Sequence, residues 1–419
     1  MAHPAFAPRS ETSALTRLAL VELGGAVDGI GSIHRAVSDR IFAGVRLGVG
    51  PSVRPIKRVH DTITDVVYRT VSGSAKAGGE AAGYLLDAGY TETIRPSDTL
   101  RGGSWLAVLQ GLRGDALEQE RSPLATPISI RVDGKSIAPE SAALAQAFPT
   151  ATGRVVVFLH GLMESERAWR LGGRPTYGER LARDLDATAV EIRYNTGRHI
   201  SDNGASLSEL LGELVRNWPV EVDQLALVGH SMGGLVSRSA TYQAALADEF
   251  WVRRVHHIVC LGSPHYGAPL EQLVHYASAA LQVLPESRPL GKLLRRRSSG
   301  IRDLRHGSLV DEDWRDRDAD ALFAAACREV PLLDGAMHCF VSAAIVASER
   351  NPLGRLVGDG LVLTPSASGR TRRKRIGFRE EDGVHVPSAN HFTLLNNDVV
   401  YERLRGWLSD APILRNSPA

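Results

Sequence analysis

A serine set among glycines, Gly229-His230-Ser231-Met232-Gly233, follows the apolar run Leu225 to Val228 and precedes a helix-like stretch, Gly234 to Ala247. Residue types and spacing suit nucleophilic chemistry. A serine on a sharp strand-to-helix turn sits at strained backbone angles, so small residues are needed two positions to either side. The turn lifts the hydroxyl above the carboxyl edge of a sheet, and the helix behind it directs its positive end towards developing negative charge. A bare G-x-S-x-G match is weak, but its placement between a buried strand and a helix makes it specific.

A serine hydroxyl needs a base, and the base needs an orienting acid. His391 lies in Pro387-Ser388-Ala389-Asn390-His391-Phe392, a loop between the last strand candidate and a final helix, Asn397 to Leu408. That position in the chain suits the base, with His385 as the runner-up. His256, His257 and His338 fall at or inside strand candidates, where packing is the simpler role. For the acid, Asp359 stands between Gly358 and Gly360, where a carboxylate can approach an imidazole closely. Asp334 precedes the strand and falls at the wrong edge, while Asp382 sits in a charged turn. The order is Ser231, Asp359, His391.

The tetrahedral oxyanion needs donors as well. His160-Gly161-Leu162 ends the run Val155 to Leu159, so backbone N–H groups of Leu162 and Met232 are the expected pair, with Met163 as the fallback for Leu162. His160, Gly161, Gly229, His230 and Gly233 are the supporting residues.

The elements that must position these groups read as an α/β fold from about residue 128 onwards. Ile128 to Val132 and Lys135 to Ile137 flank Asp133-Gly134, a two-residue hairpin signal. Val155 to Leu159, Thr188 to Tyr194, Leu225 to Val228, Val255 to Leu261 and Cys339 to Val346 are continuous apolar runs suited to strands buried on both faces. Between them, Ser206 to Trp218 carries leucines at helical spacing and ends at Pro219. Repeated strand–helix units after a hairpin predict a mixed, mostly parallel sheet with helices on both faces.

Residues 1–100 have a different composition. Ile30, Ile33, Val37 and Ile41 share one helical face, as do Ile63, Val66, Val67 and Val71; an alanine- and glycine-rich tract follows, from Gly73 to Gly89. This predicts an N-terminal helical extension that packs on the main domain, contacts another subunit in a homo-oligomer, or touches a lipid surface. The catalytic domain is assigned to 101–419. Two arginine clusters, Arg295 to Arg297 and Arg370 to Arg375, read as solvated loop, with anionic head groups as the alternative partner.

Composition excludes several classes. With 49 basic and 47 acidic residues, a net charge of +2 gives no bulk field for nucleic acid. No apolar run is long enough to span a membrane, and the first apolar stretch is broken by Arg17, Glu22 and Asp28, unlike a signal peptide. Three cysteines cannot make a disulfide framework, so a reducing, cytoplasmic setting is expected, with the surface of a membrane or lipid body as the alternative. Adjacent pairs such as His256-His257 point to opposite strand faces and cannot readily share an ion, so no metal is expected.

Taken together, Val157-Phe158-Leu159-His160-Gly161, Gly229 to Gly234, Leu261-Gly262-Ser263-Pro264-His265-Tyr266-Gly267-Ala268, Asp359-Gly360-Leu361-Val362 and His391 resemble the α/β-hydrolase fold. Within it, they are similar to a bacterial lipase group related to GPI inositol-deacylases, over roughly residues 128 to 410. The resemblance implies a cofactor-free carboxylesterase or lipase that acts on a small-molecule or lipid ester through an acyl-enzyme. It also implies a lid or cap insertion at 269–331. The alternatives are an acyltransferase on the same scaffold and a non-catalytic lipid-surface or scaffold protein. Residues 1–100 have no counterpart in a minimal lipase.

Overall fold

The computed structural model describes residues 11, 14, 95–268, 297–317, 327–347, 358–371 and 374–409. The N-terminal helical faces, the Gly73–Gly89 tract, Arg295, Arg296 and most of the expected lid (269–296 and 318–326) lie outside these residues. The chain divides into two compact units, Met1–Leu106 with Gln119–Leu124, and Ala107–Glu118 with Ala125–Ala419. In the first, the amide and hydroxyl of Ser97 donate to the Glu11 carboxylate at 3.0 and 2.9 Å.

The second unit is built on an eight-stranded sheet in the order β2-β1-β4-β3-β5-β6-β7-β8. The strands are β1 Ser129–Val132, β2 Lys135–Ile137, β3 Arg154–Leu159, β4 Thr188–Arg193, β5 Gln224–His230, β6 Val255–Leu261, β7 Met337–Ala344 and β8 Gly383–Pro387. β1 runs antiparallel to both β2 and β4; every pairing from β4 through β8 is parallel. Asp133 and Gly134 turn the β1–β2 hairpin with φ of 51° and 80°, the two left-handed conformations that an Asp-Gly pair supplies at low cost. The helices are α1 Leu100–Gln119 (kinked at Arg113), α2 Ser141–Ala147, α3 Tyr177–Leu185, α4 Ile200–Asn217, α5 Met232–Leu246, α6 Ser299–Leu304, α7 Thr364–Ala367 and α8 Asp398–Ser409. Among the described residues no helix is long and apolar enough to cross a membrane.

Strand alternation sorts the apolar runs into two cores. Val155, Val157, Leu159, Leu225, Leu227 and Ile258 face α4 and α5, whose Leu207, Leu211, Leu214, Leu235 and Val236 are fully buried. Val156, Phe158, Ala226, Val228, Val259 and Val341 face α3 and α8, with Tyr177, Leu181, Tyr401 and Leu404. Burial on both sides is why the central strands read as unbroken hydrophobic stretches. This is the doubly covered, mostly parallel sheet expected from the sequence.

Two elements differ from expectation. β8 is an additional strand, so His391 follows β8 rather than β7. Helix α4 begins at Ile200, six residues before the expected Ser206. Its first turns contain Ser201, Asp202, Asn203 and Gly204, poor helix formers that tertiary packing overrides. Gly204 is pressed against α5, where an added Cβ would lie 2.4 Å from Ser239 Oγ.

Candidate active site

The carboxyl ends of β3, β5 and β6 and the loops beside β7 and β8 bring the expected residues to one edge of the sheet. Ser231 follows β5 directly and precedes the first residue of α5, with φ 52° and ψ −118°. An L-residue held there is strained and persists only where its surroundings fix it. The Ser231 amide donates to Leu261 O at 2.8 Å, tying the turn to β6. The flanking glycines are sterically required: a Cβ on Gly229 would lie 2.3 Å from Gly233 C, and one on Gly233 2.5 Å from Leu159 O. Both contacts are with backbone, so neither can give way.

The acid and base pair closely. His391 Nδ1 lies 2.7 Å from Asp359 Oδ2, and the His391 amide donates to Asp359 O at 3.0 Å. The second carboxylate oxygen, Oδ1, accepts from the amides of Leu361 and Val362 at 2.9 and 2.8 Å. Gly358 and Gly360 adopt φ of 57° and 98°, which lets the loop fold around the carboxylate. Both side chains are almost wholly buried. Burial works to lower the His391 pKa, but the charge and hydrogen bond of Asp359, with the charge of Glu164, outweigh it and leave it raised above 6.5. Asn390 caps the turn that begins at His391 through a reciprocal bond pair with Thr393. The Ser231 hydroxyl makes no hydrogen bond among the described residues; bonds of this kind are commonly long before substrate binds.

The loop after β3 sorts its amides. Gly161 N–H donates to Glu164 Oε2 at 2.7 Å, and Met163 N–H to Thr196 Oγ1 at 3.2 Å. The Glu164 amide donates to Gly161 O. Leu162 N–H has no acceptor among the described residues, nor does Met232 N–H at the start of α5. The fallback donor, Met163, is thus occupied, and Leu162 is left free.

His160 is a support for this loop. Tyr194 N–H donates to His160 Nε2 at 3.3 Å, so Nδ1 carries the proton and donates to Gly161 O at 2.9 Å. Burial holds its pKa down to about 4, keeping the ring neutral. The ring stacks on Tyr194, whose hydroxyl donates to His160 O.

The other candidates lie elsewhere. His385 Nδ1 meets Ser342 Oγ on β7 at 3.1 Å, and His338 Nε2 meets Leu333 O. On the loop after β4, Asn195 donates to Gly114 O, while His199 bonds Asp303 and stacks on Trp314. Sequence reasoning missed Glu164, which accepts from Gly161 N–H and meets His230 Nδ1 at 3.0 Å. It missed also the buried pairing of Arg193 with Glu166, whose carboxylate accepts from Arg193 Nε at 2.6 Å. Two acids in the loop that follows β3, Glu164 and Glu166, carry no signal of either pairing in the sequence alone. No group of three metal-ligating side chains occurs among the described residues.

No curated protein matches the chain. Among solved structures, the mature Bacillus licheniformis lipase BlEst2 is 18% identical, with a TM-score of 0.39 over 61% of this chain and 91% of that one. The Pyrobaculum calidifontis esterase is 12% identical, with a TM-score of 0.36 over 61% and 76%. The Pyrococcus furiosus esterase PF2001 is 15% identical, with a TM-score of 0.36 over 62% and 82%. Over residues 150–315, which hold β3 to β6 and α3 to α6, the chain matches the PGAP1-like alpha/beta domain family.

Proposed function

We propose that the protein is a serine-dependent carboxylic-ester hydrolase of the esterase or lipase type. The observation that carries this reading is the buried Asp359–His391 hydrogen bond of 2.7 Å, set on the same sheet edge as a strained serine turn. In the first half-reaction Ser231 Oγ attacks the ester carbonyl while His391 Nε2 takes its proton. Asp359 holds the proton on Nδ1, which keeps Nε2 a base. The oxyanion forms within reach of the Leu162 and Met232 amides, neither of which has a competing acceptor among the described residues. Return of the proton from His391 to the leaving alcohol completes the acyl-enzyme, and water, activated by the same imidazole, then releases the acid. A small-molecule or lipid ester is the proposed substrate class.

The test is covalent labelling. A fluorophosphonate probe is expected to modify the peptide bearing Ser231 in the wild-type protein, and Ser231→Ala is expected to remain unlabelled. Undiminished labelling of that variant refutes the assignment.

A pH dependence follows from the base. His391 must be neutral to accept a proton, and its pKa is raised above 6.5. Activity is therefore expected to be lost as pH falls through that raised value, placing the acid limb of kcat/KM on the alkaline side of 6.5. An acid limb well below pH 6 would assign the base elsewhere.

A further inference from the structure

Glu164 and His230 form a second acid–imidazole pair beside the first, and neither takes part in the steps above. The Glu164 carboxylate oxygen Oε2 receives Gly161 N–H at 2.7 Å and faces His230 Nδ1 at 3.0 Å. His230 Nε2 in turn faces the backbone carbonyl of His391 at 3.2 Å. The His230 side chain is wholly buried, and that of Glu164 nearly so. One carboxylate thus joins three segments far apart in sequence: the loop after β3, the serine turn after β5, and the loop after β8. The two nitrogens of His230 thus face two oxygen atoms, a carboxylate on one side and a main-chain carbonyl on the other.

The geometry points to Glu164 and His230 as positioning residues for the ester hydrolysis proposed above, on which this inference rests. By holding Gly161 N–H, Glu164 fixes the 160–161 peptide, which adjoins the 161–162 peptide that carries the Leu162 amide and whose carbonyl, Gly161 O, is bonded by His160 Nδ1 and the Glu164 amide. Through His230 it fixes the main chain of His391. Its negative charge also favours the imidazolium that forms on His391 during attack. The groups that face His391 from the packed elements are Asp359 from its loop, Glu164 from the β3 loop, and the His230 ring, 4.6 Å between centroids. Burial works to raise the Glu164 pKa, but the charge and hydrogen bond of His230 and the Gly161 amide outweigh it, so the carboxyl stays ionised.

The experiment compares pH–rate profiles of the full-length wild type, Glu164→Gln and Glu164→Ala on a short p-nitrophenyl ester, with fluorophosphonate labelling and thermal melting on each. Glu164→Gln keeps an acceptor for Gly161 N–H and loses only the charge. Its acid limb is expected to move to lower pH by about half a unit or more, because one of the two negative charges supporting the imidazolium is gone. Its kcat is expected to fall about tenfold, with KM within about twofold. Glu164→Ala loses the clamp as well, and a fall of about 100-fold in kcat is expected for a misplaced oxyanion donor. An unmoved acid limb in Glu164→Gln, or wild-type kcat in both variants, overturns the proposal, since a merely structural clamp leaves the pH profile alone. If Glu164→Ala does not fold, the Glu164→Gln profile decides by itself. Failure of the wild type to label at Ser231 overturns the parent reading and this one together; labelling with an unmoved limb overturns this one only.

Discussion

Ser231→Ala is expected to lower kcat on a short p-nitrophenyl ester by roughly a millionfold, with KM nearly unchanged. The substitution removes the oxygen proposed to form the acyl-enzyme while leaving the turn, the Leu162 and Met232 amides and the Asp359–His391 pair in place. Comparable residues act as a unit, so their removal is strongly non-additive. Adding His391→Ala to Ser231→Ala should therefore cost no more than about a further tenfold. Residual turnover above about one-hundredth of wild type would mean that water, activated some other way, reacts directly. The fold should survive, because alanine removes a hydroxyl that bonds to no described group and relieves no packing.

The second large effect is expected from Asp359→Asn, a loss of about 10⁴ in kcat at neutral pH. The loop itself explains why an almost isosteric change is so costly. Oδ1 of Asp359 accepts from two amides, Leu361 and Val362, at 2.9 and 2.8 Å. An asparagine must keep its oxygen on those donors, so its NH₂ takes the place of Oδ2 and points hydrogens at His391 Nδ1. That nitrogen then has to accept, and the ring proton moves to Nε2, the atom that must be free to take the proton from Ser231. The melting temperature should change little while kcat collapses. Retention of more than about a tenth of wild-type kcat in a folded variant would remove Asp359 from the orienting role.

Much of this site was legible in the sequence because steric rules leave few residue types to choose from. Gly229 and Gly233 face backbone at 2.3 and 2.5 Å, so only glycine fits, and the motif announces the turn. Asp133-Gly134 announces its hairpin for a similar reason, both residues being left-handed. Asp359 and His391 were legible as a pair because a carboxylate between two glycines can approach an imidazole closely. Other features left no such mark. β8 is short, half-buried and ends in proline, so Gly383 to Pro387 lacks the apolar run that marks the central strands. Glu164 and Glu166 look like ordinary loop acids until the fold brings His230 and Arg193 to them. The first turns of α4 are held by contact with α5 rather than by propensity, and no local reading recovers that.

The double attachment of residue 391 to residue 359, once through its peptide and once through its ring, has a thermal consequence. The imidazole has no swing to freeze out when an ester arrives, so little entropy is spent on organising it. Nor can it drift away by fraying of one loop alone. Heat inactivation should therefore coincide with cooperative melting of the sheet, rather than precede it.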